Sequence, residues 1–163
     1  HRLNGAFVMA VTSHIYNHTT ALLAGQAINL ATLRVMLLDD TASFDATHTT
    51  VDQVAGALGG SPAERDHEVY GNGWTQGGEA VTGVGATTIT TNDARLNGGQ
   101  ISVTATGGSI GPCRYVLLYD ATSMKPIQLY NFGQNEYAGD TTDFKLTFDL
   151  LGVPGTIYTL SVD

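Results

Sequence analysis

The chain has 163 residues, 42% of them hydrophobic, and a net charge of −8 at neutral pH. That length suits one domain burying roughly 68–70% of the surface its unfolded form exposes. Charged residues reach only 13%, about half the ~25% usual in soluble domains. The acidic balance and seven scattered Lys and Arg argue against nucleic acid or anionic lipid as partners, since both are bound through clustered basic groups. No apolar stretch approaches the ~18 residues of a membrane span. One cysteine, Cys113, leaves no intramolecular disulfide and no thiolate-rich zinc site.

Residues 1–15 are expected to form an arm, and 16–163 a single domain. Asn17 is a good N-cap, and residues 18–25 (HTTALLAG) group Ala21, Leu22 and Leu23 before Gly25, so one short N-terminal helix is predicted there. Leu33 to Leu38 (LRVMLL) is a compact apolar run ended by Asp39-Asp40 and reads as a core strand. Residues 40–67 lack a period, with Val51 to Val54 a short strand or turn and Gly59 to Pro62 a loop. A long loop of this kind is uncommon unless used, so it is expected to be a contact loop.

From residue 68 the pattern is strand and turn. Glu68-Val69-Tyr70 leads into Gly71-Asn72-Gly73, and Glu79–Val84 and Ala86–Thr91 are β-branched segments around Gly85. After turns at Asn92-Asp93 and Asn97-Gly98-Gly99, Gln100–Thr104 alternates with Ile101 and Val103 on one face. Arg114–Asp120 is a second strongly apolar strand. In 126–132 Ile127 and Leu129 oppose Gln128 and Tyr130, and in 143–150 Phe144, Leu146 and Phe148 share a face. Thr156–Val162 closes the series. Many short strands without βα alternation predict a mainly β fold, an antiparallel sandwich or jelly-roll-like domain.

Groups that could carry chemistry are each set against a plainer role. His14 and His18 have the helical spacing of two metal ligands, but a third is missing and His14 precedes the helix. Asp66-His67-Glu68, with His48 in the same irregular region, mixes carboxylates and imidazoles, yet neighbours on an extended chain point apart. Asp39, Asp40 and Asp45 lack the alternating pattern and central Gly of a calcium loop. Gly108-Ser109-Ile110-Gly111 has the wrong spacing for a nucleophile elbow. Gly83-Val84-Gly85 runs into a strand where a dinucleotide loop needs a helix. Cys113, before a core strand, reads as a buried inert thiol. No catalytic residue, metal or cofactor is therefore expected. Trp74, inside the Gly-rich 71–78, has three open roles: sugar platform, interface anchor, or plug over one end of the sandwich. With His48, Asp52, Asp66 and His67 it makes up the candidate interface.

The order of these motifs supports a resemblance. Tyr16-Asn17-His18, the strand 33–38, the Asp/Thr/His segment ending at 52–56, then 71–78 (GNGWTQGG), Asn92-Asp93-Ala94-Arg95 and Arg114–Asp120 follow one another from about Tyr16 to Phe132. Together they resemble small virion structural proteins of tailed bacteriophages, of the kind that decorate or cement capsids. The resemblance implies a non-enzymatic protein on the capsid surface, bound to the major capsid protein and to copies of itself, often as a trimer. A tail-associated adhesion module and a glycan-binding module are the alternative functions. The start before Met9 and the Gly/Pro insert at 56–62 depart from the pattern.

Overall fold

The computed structural model describes residues 7–8, 12–57, 65–88, 94–150, 153–154 and 156–160. In chain order the strands are β1 Phe7–Val8, β2 Thr12–Ile15, β3 Leu33–Leu38, β4 Glu68–Val69, β5 Glu79–Ala80, β6 Gly85–Thr88 and β7 Ala94–Asn97. There follow β8 Ile101–Thr104, β9 Ile110–Asp120, β10 Lys125–Ala138, β11 Asp143–Thr147, β12 Asp149–Leu150, β13 Val153–Pro154 and β14 Thr156–Leu160. Among the described residues two short helices, α1 Thr19–Ala24 and α2 Val51–Ala55, and a 3-10 turn at Leu30–Thr32 interrupt them. The protein is mainly β, and among the described residues its sheets are antiparallel apart from the β1–β11 pair.

The main sheet runs β2-β10-β9-β3-β4, with β5 also on β3. Its centre is the pair of apolar runs seen in the sequence, β3 and β9, in register from Leu33 opposite Asp120 to Leu38 opposite Tyr115. Such unbroken runs suit strands covered on both faces. Val35, Leu37, Val116 and Leu118 point to one face, where they pack with Ile101, Phe144 and Leu146 of the β1-β11-β8 sheet and with Leu96 and Ile157 of the β14-β7-β6 sheet. This is the sandwich. Met36, Leu38, Leu117, Tyr119 and Leu129 point to the other face.

That second face is covered by the segment expected to be a contact loop. Ala42, Val51, Val54 and Ala55 are buried on it, beside Tyr16. Helix α2 lies where a strand or turn was expected. Its start is a capping box: the Thr50 hydroxyl accepts from the Gln53 amide, and the Gln53 side chain accepts from the Thr50 amide. The described part of 40–67 is thus a lid whose apolar side is core. The Gly59–Pro62 loop and the Asn92-Asp93 turn lie outside the described residues.

Other local expectations shift by a residue. The N-cap of α1 is His18, in helical conformation and without a side-chain cap, while the Asn17 amide donates to Ala46. Gly25 does end the helix, but the left-handed turn falls on Gln26 at φ 52°, with Ala27 N–H donating to Leu22 O and Gln26 N–H to Leu23 O. Residues 12–15, expected in the arm, form β2 of the main sheet. In β10 a bulge at Ile127 breaks the expected alternation. Ile127 and Tyr130 therefore join the sandwich core while Leu129 turns to the lid, and Gln128 is buried as well.

Residues 70–78 leave the sheet edge between β4 and β5, both of which pair with β3. Gly71, Asn72 and Gly73 all take positive φ in the turn. The return is tight at Gly78, where a Cβ would lie 2.1 Å from the Val35 carbonyl oxygen, so only glycine fits.

Candidate functional site

Of the five candidate interface residues, Trp74 is buried, at 3% exposure, with its ring edge-on to Phe144 at 5.5 Å. The Gly-rich excursion swings it inward onto the end of the sandwich, so the ring serves as a plug. As a core side chain it offers no free aromatic face, which removes the exposed anchor and sugar-platform roles.

The other four lie in or beside the lid, each with its own partner. His48 Nε2 faces Asp45 Oδ2 at 4.0 Å. Asp52, in the first turn of α2 and exposed, accepts from Arg65 Nε at 3.0 Å. Asp66 is exposed, and its amide donates to Gly56 O at 3.0 Å. His67 Nδ1 meets the Thr41 hydroxyl at 2.7 Å, and that hydroxyl donates to Asp39 Oδ1 at 2.5 Å. Here the same imidazole nitrogen faces both oxygens. In a nucleophilic relay the base would use one nitrogen for the hydroxyl and the other for the carboxylate.

The metal-spacing candidates also separate. His14 is on strand β2 and stacks on Phe44, centroids 4.7 Å apart. His18 instead bonds the Pro126 carbonyl through Nε2 at 2.7 Å. Asp39 and Asp45 each close a local turn, accepting from the Thr41 and Thr47 amides, while Asp40 accepts from the Asn135 side chain of β10. Among the described residues no group of three or more His, Cys, Asp or Glu side chains could hold a metal ion. Cys113 is buried, its Sγ 3.5 Å from the Glu136 carbonyl. Burial, with Glu136 nearby, pushes its thiol pKa up to about 12, so the reactive thiolate is disfavoured at neutral pH.

Two polar centres escaped the sequence reading. Asp120, 1% exposed at the end of β9, accepts from the Asn29 and Thr122 amides and from the Thr32 and Ser123 hydroxyls. Burial opposes its charge, but the four donors outweigh it and hold the carboxyl below its ordinary range. Asp120-Ala121-Thr122-Ser123 is a readable Asx-turn signature. The second centre gathers around the return of the 70–78 loop. There Tyr119 donates to Gly77 O, Glu68 accepts from Gly77 N–H, and Arg34 donates to Gly78 O at 3.0 Å. Nothing in the sequence distance between Arg34, Glu68 and Tyr119 announces it, because three different strands deliver the side chains.

A shallow cleft of about 230 Å³ lies over Thr32, Arg34, Ala80 and Thr122. The two threonine hydroxyls bond each other at 2.9 Å and Arg34 is already held by Gly78, so its polar groups serve the fold. Compared with protein-family models, with curated proteins and with solved structures, the chain matches none.

Proposed function

We propose that this chain is a virion structural protein of the capsid-decorating or cementing kind, acting through protein–protein contact on the surface of an assembled head. The observation that carries the reading is where the described polar side chains go. Asp39, Asp45, Asp120 and Asn131 each close a turn of their own chain segment. Such a molecule offers shape, hydrogen-bonding edges and an acidic field in place of a reactive pocket. The order of motifs from Tyr16 to Phe132 adds the resemblance to phage decoration proteins, with the major capsid protein and further copies of the chain as partners.

Physically, a cement protein works by adding contact area across the joints of a shell. Each contact can be weak, because copies repeated over a symmetric lattice act together. A sparse charge of 13% in a Gly- and Thr-rich chain lowers the desolvation cost of covering its surface. The test is to add purified protein to undecorated, expanded phage heads. Saturable binding at symmetry-related sites, with a raised temperature of shell opening, is expected. Occupancy without any gain in shell stability removes the cement role, density confined to the tail replaces it with the tail reading, and glycan-array binding without capsid binding overturns it.

A further inference from the structure

The second polar centre contains a mismatch. The Glu68 side chain is 1% exposed and sits under the return of the 70–78 loop. One carboxyl oxygen, Oε1, accepts from the Gly77 amide. The other, Oε2, is buried and accepts no hydrogen bond among the described residues. Its nearest cation, Arg65 Nη1, stands 3.8 Å away, beyond hydrogen-bonding reach. Arg65 is already drawn outward, its Nε bonded to the exposed Asp52 of α2 at 3.0 Å. A buried carboxylate with half its accepting capacity unmet is costly, whereas a neutral carboxyl keeps the Gly77 bond at much lower cost.

From this geometry we propose that Glu68 is a proton-tightened latch on the 70–78 loop: the neutral carboxyl holds the loop shut, and the ionised carboxylate favours its release. Release of the loop that covers Glu68 gives Oε2 access to water while β3 and β9 stay paired. It also withdraws Trp74 from Phe144 and uncovers the apolar surface beneath it, since the plug, Trp74, and the amide held by the latch, Gly77, belong to the same segment, 70–78.

Arg65 approaches from the chain just before β4, with Asp52 of α2 behind it. Arg34 of β3 is committed to Gly78 O, and Tyr119 of β9 donates to Gly77 O. On β5, Glu79 is occupied by the Thr75 amide. His67, next in the chain, turns to Thr41 and Asp39. The direction agrees with the electrostatics: burial raises the Glu68 pKa, against the opposing pull of the Gly77 amide and Arg65. A carboxyl with a higher pKa in the closed loop than in the open one binds its proton in favour of closure. By linkage the closed loop gains on acidification and loses as pH rises through the closed-state value.

The test uses the full chain and two variants. Glu68 is titrated through its carboxyl carbon signal by NMR, and loop opening is followed by hydrogen exchange at the Gly77 amide and by fluorescence of Trp74, the chain's one tryptophan. Glu68→Gln, the neutral isostere, should exchange more slowly than wild type at about pH 7.5, by about tenfold for each unit by which closure raises the Glu68 midpoint, and match it in acid. Arg65→Met, which removes the nearest cation, should raise the midpoint further and speed exchange at about pH 7.5. A Glu68 midpoint at or below that of an ordinary glutamate overturns the latch. So does Gly77 exchange that is as fast in Glu68→Gln as in wild type, or unchanged in Arg65→Met.

Discussion

Replacing Asp120 with Asn tests how much of the fold hangs on one buried carboxylate. In the native protein Oδ1 receives the Thr32 hydroxyl at 2.8 Å and the Thr122 amide at 2.9 Å, while Oδ2 receives the Asn29 amide at 3.1 Å and the Ser123 hydroxyl at 2.9 Å. Asparagine keeps one oxygen but turns an NH₂ toward the second pair. The Ser123 hydroxyl can rotate to accept from it, but the Asn29 N–H meets another donor, and the surviving bonds lose their charge assistance. Charge-assisted bonds contribute about 1.5–3 kcal/mol each and a stranded buried donor costs about 1–3 kcal/mol, so a net loss of about 3 kcal/mol is expected. At this chain length that lowers the melting temperature by roughly 6–12 °C.

The pH profile supplies an independent check. The folded Asp120 pKa lies below its unfolded value, so its stabilisation is present above the unfolded pKa of ~3.9 and is lost as pH falls through the folded value. Urea unfolding of both proteins at about pH 7 and about pH 3 measures this. The gap between wild type and Asp120→Asn should shrink on acidification. A gap under about 0.5 kcal/mol at neutral pH, or one that does not narrow in acid, refutes the assignment of Asp120 as the staple joining the 3-10 turn to the β9–β10 hairpin.

Two further outcomes follow from the lid and the core. Thr50→Ala removes the hydroxyl that accepts from Gln53 and should lower stability by about 1 kcal/mol, read by urea unfolding; no change would mean that α2 does not depend on its cap. Cys113, buried and with a raised thiol pKa, should resist a maleimide reagent in the native state at about pH 8 and react fully once the chain is denatured. Fast native labelling would contradict its burial.

Strand β3 was legible to the residue, because an uninterrupted six-residue apolar run ended by two aspartates has few other uses. The alternation in β8 and β11 was equally plain, with Ile101, Phe144 and Leu146 buried as their spacing implies. Helix α2 was legible in principle through Thr50-Val51-Asp52-Gln53, but five helical residues carry almost no period, so only the cap pattern marks it. The bulge at Ile127 has no comparable sign. Where it falls depends on how β10 must twist against β9, and it sends Ile127 and Tyr130 to one face.

The linear order of residues by itself determined the class of the fold: many short strands, low charge and glycine-marked turns. Periodicity within a strand is a local property, so it survives in the sequence. Only the tertiary structure decided that the 40–57 segment covers a second core and that Trp74 faces inward. The same holds for the meeting of Glu68, Arg34 and Tyr119 around Gly77. Those outcomes depend on which face of the central sheet was left uncovered and on how close its edge strands lie. Both follow from pairing residues far apart in the chain, which no local pattern encodes.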